Sequence, residues 1–481
     1  SHGKKPMAKH KAHTAAKPVT PPAHLNAIPI ARSPTELMEA GKRLREALPR
    51  LAHKTWKKPQ KRADPIAQLQ ASDAERLPEL VPVRYGRMLV SPFTFFRGAA
   101  AVMAADLATT ASTGLHVQAC GDCHLLNFGG FATPERNIIF DMNDFDETLP
   151  APWEWDIKRL VASFVLAARS IGLSDTNGTD AAIATARSYR KRLAKYAKMS
   201  PLEVWYASIS AEDIINMGFD AKTRARIERR IEEAEERSSG SEMEFPRLAD
   251  VVGGHAHIRD APPLIFHPEI SRTHDFMVQL EGILAAYRET VPDDRRVLLD
   301  RYRMVDAAIK VVGIGSVGRA CWIALLMSAG NDPLFLQFKE ARESVLEPYA
   351  GHSAYQHHGQ RVVMGQRLMQ PASDVFLGWV TGPNGRQFYV RQLRDAKIKP
   401  LIETFNAEML TFFGKACGWA LARSHAKSGD AWTISGYLGN SDEFDEAMGN
   451  FALAYADQAE ADHGKLKAAV RAGKVHVLTE V

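Results

Sequence analysis

Between Gln118 and Asp146 the sequence sets Asp122, His124, Asn127, Asp141, Asp144 and Asp146 within 25 positions, interleaved with Cys, Leu, Ile, Phe and Met. A carboxylate placed so close to a core costs free energy unless it meets a cation or hydrogen-bond donors. The stretch therefore needs partners from elsewhere in the chain, and any fold must supply them. The bland reading is a cluster of N-caps and turns, since Asp and Asn are also common turn formers.

Two chemistries compete for these residues. Asp122, Asn127 five positions later and Asp144-Phe145 have the spacing of a catalytic loop followed by a metal-binding Asp in phosphoryl transfer. In that reading Asp122 accepts or orients the proton of an attacking hydroxyl. Asn127 offers a carbonyl oxygen to Mg²⁺, and Asp144, with Asp141 as the alternative, bridges metal to phosphate. His124 orients the loop, and Asp156 accepts backbone N–H bonds from it. The other chemistry is haem, because Cys120-Gly-Asp-Cys123-His124 satisfies the covalent-attachment pattern. Attachment requires export, yet no apolar stretch follows the basic start, and haem leaves Asp122, Asn127 and Asp144 without a role. A lone Cys-x-x-Cys also lacks the second pair that closes a zinc site. Four scattered cysteines make no disulfide framework, and a reducing cytoplasm is the expected compartment.

At 481 residues, 45% hydrophobic and 24% charged, the chain has the composition of a soluble globular protein with two to four cores. No run of about 18 apolar residues is present, so no membrane span is expected. The net charge of +5 is uneven: residues 1–62 carry 15 Lys/Arg against 3 Asp/Glu. Residues 1–32 read as a basic, flexible leader. Nothing resembles a nucleic-acid module, and no specific nucleic acid is expected as partner. Ser33-Pro34-Thr35-Glu36 signals a helix start. Residues 153–173 read as a helix with a long apolar face, and 174–300 as helical and chemically quiet. His255-x-His257 offers two metal ligands, but no carboxylate or thiol beside them completes a recognisable set.

From Ala307 the character changes. A β-like run leads into Gly313-Ile-Gly315-Ser316-Val-Gly318, followed by Cys321–Leu326, a turn at 328–333, and Leu334-Phe-Leu-Gln-Phe-Lys339. A dinucleotide-binding glycine loop opens a helix and needs an acidic residue about 20 positions on. Here strand, glycine loop, strand, turn and a strand with one inward Lys match a kinase nucleotide lobe instead. The glycines let backbone N–H groups reach phosphates, and Lys339 neutralises their charge. A hairpin is expected at 374–393, and helices at 353–370, 403–424 and 442–458.

Gly121-Asp-Cys-His-Leu-Leu-Asn127 resembles the Gly-Asp-x-His-x-x-Asn of aminoglycoside-phosphotransferase-like kinases. Arg87-Met-Leu-Val-Ser-Pro-Phe-Thr-Phe-Phe-Arg-Gly98, Pro152-Trp-Glu-Trp-Asp-Ile-Lys-Arg159 and residues 310–326 resemble a bacterial family catalogued as domain of unknown function 2252, over roughly 80–465. The kinase resemblance implies an α+β, bilobal, helix-rich fold in circularly permuted order, because Gly313 and Lys339 follow Asp122. Residues 33–300 would form the catalytic lobe, 305–395 the nucleotide lobe with an antiparallel sheet, and 396–481 helices packed on the catalytic lobe. It implies ATP with Mg²⁺ or Mn²⁺, held by Gly313, Gly315, Ser316, Gly318 and Lys339, and γ-phosphate transfer to a hydroxyl of a small molecule. Arg84, Arg87 and Arg97 are candidates for binding the acceptor. No Glu lies between Pro348 and Ile402, where the usual partner of Lys339 would sit, so Glu347 is the expected substitute. Transfer of AMP to a protein and nucleotide sensing without turnover are the alternatives, and oligomeric state is left open.

Overall fold

Every residue of the strand Pro333–Glu340 is buried, which demands cover on both faces of its sheet. The computed structural model describes residues 32–237, 245–393 and 397–479, so the basic leader up to residue 31 lies outside the described residues. Four short strands come first: β1 (His116–Ala119), β2 (Phe128–Ala132), β3 (Ile138–Met142) and β4 (Leu149–Pro152). β2 and β3 form a hairpin, and β1 pairs with β4 on either side of it, both antiparallel. A second hairpin joins β5 (Ala249–Val252) to β6 (His255–Ile258). Then β7 (Ile265–Phe266), β8 (Tyr302–Lys310), β9 (Cys321–Ser328), β10 (Pro333–Glu340), β11 (Gly378–Thr381) and β12 (Gln387–Gln392) build one sheet. Its order is β11-β12-β10-β9-β8-β7, and all its pairings are antiparallel. The architecture is α+β.

The two-residue period of β10 sorts its side chains. Leu334, Leu336 and Phe338 join Leu326, Phe388, Val390 and Tyr287 in one core. Phe335 packs on the opposite face with Ile323, Leu325, Leu248 and Ile258. Lys339 lies on that second face and stands directly between Cys321 of β9 and Tyr389 of β12. The helix His274–Arg288, which carries Tyr287, covers the first face, and β7 extends the sheet edge. Residues 245–299 therefore pack with the sheet rather than with the helical part to which the range 33–300 assigned them. The reason is area, because a six-stranded sheet with two apolar faces needs more cover than 305–395 can supply.

The helical part has its own core. Helix Trp153–Ser170 is buried on all sides from Trp153 to Ala168, the mark of a central helix rather than a surface one. Around it pack Asp175–Ala197, Ala407–Ser428, Ala431–Leu438 and Glu443–Arg471, together with β1 to β4. The expected helix start at Ser33 forms a full capping box, with Ser33 Oγ accepting from the Glu36 amide and the Glu36 carboxylate accepting from the Ser33 amide. Helices Asp175–Ala197 and Ala407–Ser428 approach through Gly414 and Gly418. A Cβ on Gly418 would lie 2.3 Å from the Thr185 carbonyl oxygen.

That contact yields a test of the helical frame. Gly418→Ala forces the two helices apart and lowers unfolding stability by about 1–3 kcal/mol, read as a reduced midpoint in urea.

Candidate functional site

The loop after β1 is built on one carboxylate. Asp156, in the first turn of helix Trp153–Ser170, accepts from the Cys120 amide at 2.8 Å and the Gly121 amide at 3.0 Å. Its Oδ2 also lies 2.9 Å from His425 Nε2, and His425 Nδ1 is 2.7 Å from the Tyr189 hydroxyl. Gly121 has φ +85°, and a Cβ there would meet the Glu147 carbonyl at 2.4 Å, so glycine alone fits the turn. The loop thus leaves β1 at a set angle and delivers Asp122.

Asp122 is gripped by an arginine that sequence reasoning had not singled out. Arg159 approaches Asp122 Oδ1 with Nε at 2.8 Å and Nη2 at 2.7 Å, while Nη2 also donates to the Phe96 carbonyl at 2.9 Å. The Asn127 side-chain NH₂ donates to the Asp122 carbonyl at 2.6 Å. That engages the amide's donor end on the backbone and leaves its oxygen as the end able to bind a cation. His124 Nε2 is 3.8 Å from Asp122 Oδ2. Burial, then the charges of Arg97 and Arg159, hold His124 well below its usual basicity, so the imidazole is neutral. The signal for Arg159 was present: it follows Asp156 by three positions, so the two share a helix face.

The segment Asp144-Phe145-Asp146 meets the sheet. Lys339 Nζ is 2.6 Å from Asp146 Oδ2 and 3.4 Å from Asp144 Oδ2. The Tyr389 hydroxyl donates to Asp146 Oδ1 at 2.6 Å, and Ser316 Oγ to Asp146 Oδ2 at 3.2 Å. Burial by itself lowers the pKa of Lys339, but Asp144 and Asp146 outweigh it and the net shift is upward. Burial likewise raises that of Asp146, and Lys339 with Arg319 reverses it to a net depression. The Asp144 side chain keeps 32% of its exposure against 9% for Asp146, so Asp144 is the carboxylate open to solvent.

The glycine loop lies over this segment, between β8 and β9. Gly313 and Gly318 have φ +67° and +88°. Its carbonyls are tied to residues 76–87: Gly313 O accepts from Arg87 Nη1 at 2.5 Å, Val317 O from Arg76 Nη1 at 2.5 Å, and Gly318 O from the Leu77 amide at 2.7 Å. A Cβ on Gly315 would come within 3.5 Å of the Arg97 carbonyl. The structure therefore brings Asp122, His124, Asn127, Asp144, Lys339, Gly313, Gly315, Ser316 and Gly318 into one region. Beside it a pocket between β12 and the β2–β3 hairpin is lined by Phe131, Ala132, Asn143, Arg391 and Gln392, among others.

Four expected residues go elsewhere. Asp141 is fully buried against Arg423 Nη2 at 2.7 Å, and burial, partly offset by Arg423, raises its pKa. It is held in that closed ion pair, so it is not placed as a metal ligand. Glu347 accepts from the Ser353 amide at 2.8 Å, and the carboxylates on Lys339 are Asp144 and Asp146. The neighbouring helix His358–Met369 instead contributes Arg361, which donates to the Asp146 carbonyl at 2.8 Å and the Thr148 carbonyl at 2.7 Å. Arg84 pairs with Asp73 at 2.8 Å and reaches the Gly98 carbonyl at 3.2 Å. Arg87 holds the glycine loop. Of the three arginines, Arg97 is the one beside Asp122, and its buried Nε has no hydrogen bond.

Residues 76–469 match the family described as "Uncharacterized protein conserved in bacteria (DUF2252)", and the chain belongs to that family. No curated protein and no solved structure matches the chain.

Two carboxylates three positions apart should respond very unequally to neutralisation. Asp141→Asn strands Arg423 and costs about 3–5 kcal/mol in urea unfolding, whereas Asp144→Asn, about one-third open to water, changes stability by about 1 kcal/mol or less. Asp146 has a depressed pKa and Lys339 a raised one, so their pair stabilises the fold fully between about pH 4 and pH 10. The stability advantage of wild type over Asp146→Asn should shrink as pH falls below about 4, read by urea titration at each pH.

Proposed function

We propose that the chain is an ATP- and Mg²⁺-dependent phosphotransferase of kinase-like, circularly permuted architecture, moving the γ-phosphate to a hydroxyl of a small molecule. The observation that carries this reading is the meeting of Lys339 with Asp144 and Asp146, residues about 195 positions apart, beneath a glycine loop. The strand, glycine loop, strand, turn and Lys-bearing strand form one antiparallel meander, and the loop containing Asp122 and Asn127 faces it from the other half. A hinge is supplied where Ile398 exchanges backbone hydrogen bonds with Gly130 at 2.7 and 3.0 Å.

Each role follows from an environment. Lys339 is oriented by Asp146 in place of a helix glutamate and neutralises α/β-phosphate charge. Asn127 and Asp144 present oxygen ligands only, the donor type that suits Mg²⁺ or Mn²⁺, and the ion would supply charge neutralisation at the transferring phosphate. Asp122, with Oδ1 fixed by Arg159, keeps Oδ2 to orient the acceptor hydroxyl. Arg97, half-buried beside Asp122 with no hydrogen bond at its buried Nε, meets negative charge on acceptor or phosphate. The pocket lined by Phe131, Ala132, Asn143 and Gln392 receives the base.

A second reading, nucleotide sensing without turnover, draws on one observation: Lys339 is already neutralised by two carboxylates, and phosphate has to displace one of them. Incubation with Mg²⁺ and ATP labelled at α or at γ separates the readings. γ-label moving to an acceptor is the expected result; α-label transfer marks nucleotidyl transfer, and binding without either marks a sensor. Lys339→Ala should lose ATP binding, and Asp144→Asn should lower transfer by about 10²-fold or more while remaining folded by circular dichroism. Unchanged ATP affinity in Lys339→Ala would refute the assignment of the sheet as the nucleotide lobe.

A further inference from the structure

His257 of β6 takes on a partner set that the sequence could not display. Asp306 sits where the register of β8 against β9 shifts between Met304 and Asp306, an irregularity of the kind that re-aims a side chain. It points to His267, whose Nε2 lies 3.0 Å from Asp306 Oδ2, and to His257, whose Nδ1 lies 3.9 Å from the same oxygen. One ligand atom from each of the three lies within 4.8 Å of the others. Tetrahedral coordination with bonds of about 2.0–2.1 Å separates ligand atoms by roughly 3.3 Å, and the distances of 3.0 and 3.9 Å bracket that value. All three side chains keep access to water, at 41% for His257, 13% for His267 and 19% for Asp306.

A second feature is independent of the ligand distances. His267 Nδ1 is 2.8 Å from Asp260 Oδ1, and the His267 backbone amide donates to the same oxygen at 2.8 Å. A carboxylate fixing the far nitrogen of a histidine sets the tautomer that leaves Nε2 for a metal, and it is the usual outer support of a zinc-ligating histidine. Asp306 is steadied in turn by the Ile258 amide at 2.6 Å and the Ala307 amide at 2.8 Å.

We propose that His257, His267 and Asp306, supported by Asp260, form a binding site for a divalent first-row transition ion of the zinc type. Two imidazoles and one carboxylate favour zinc over magnesium or calcium, which prefer all-oxygen sets. A water completes the tetrahedron. The site ties together β6, the residue that follows β7, and β8, which enters the glycine loop a few residues after Asp306. The ion is therefore a structural clamp on the sheet edge that carries this loop, and it stands whether or not the nucleotide reading holds.

The test uses the full chain, stripped with EDTA and exchanged into metal-free buffer, then titrated with Zn²⁺ against a chromogenic chelator. One tightly held zinc per chain is expected, with a rise in unfolding midpoint on adding zinc. His257→Ala should abolish both. Asp260→Asn, which keeps the shape of the site, should weaken zinc binding by about 10- to 100-fold, with circular dichroism unchanged. Cobalt in place of zinc should show intense visible absorption typical of a tetrahedral site, and lose it in His257→Ala. His352→Ala, in the separate Glu343, Glu347 and His352 cluster, should leave zinc occupancy unchanged. Absence of tightly held zinc in wild type, or equal zinc affinity in wild type, His257→Ala and Asp260→Asn, would overturn the proposal.

Discussion

The ion pair between Lys339 and Asp146 is the interaction on which the site depends. A charge pair removed from water repays its desolvation only when its geometry is close and its remaining lone pairs are satisfied. Both conditions hold here: Nζ and Oδ2 are 2.6 Å apart, and Tyr389 and Ser316 donate to the same carboxylate. The partners come from different parts of the molecule, one from the central strand of the sheet and one from the loop below the β2–β3 hairpin. Aligning them therefore requires the sheet and the helical frame to be in register. Arg361 reinforces that register by holding the carbonyls of Asp146 and Thr148 from helix His358–Met369.

On the other side, helix Trp153–Ser170 does for Asp122 what the sheet does for Lys339. Asp156 anchors the backbone before Asp122, and Arg159, on the same helix face, anchors its carboxylate. A rigid buried helix thereby sets both the position and the orientation of the loop. Asp141 and Arg423 close a second buried pair nearby, linking β3 to helix Ala407–Ser428. The acidic stretch thus divides by partner: Asp141 is committed to Arg423 and Asp146 to Lys339, while Asp122, Asn127 and Asp144 remain for chemistry in the proposed transfer.

The strands around the glycine loop were legible because their apolar runs are bounded by clear turn residues. The hairpin at β11 and β12 was legible for the same reason. The cover of the sheet was not, because residues 245–299 carry short strands and an ordinary amphipathic helix whose partners are named only by packing. The choice among acidic residues was also beyond reach. Asp141, Asp144 and Asp146 look equivalent in one dimension, and exposure of about one-third for Asp144 against little or none for the other two separates them only in space.

What the sequence determined by itself was the supply of parts: a dense set of potential ligands at 118–146, a glycine loop at 313–318, one Lys at the end of an apolar strand, and a helix whose Asp156 and Arg159 share a face. Periodicity and spacing are local properties, so they survive in one dimension. Tertiary structure alone decided which carboxylate holds Lys339, that Glu347 does not, that Arg84 and Arg87 serve structure, and that His257 meets His267 and Asp306. Those outcomes depend on distances between segments tens to hundreds of residues apart. Only the packing of the sheet against the helical core sets such distances.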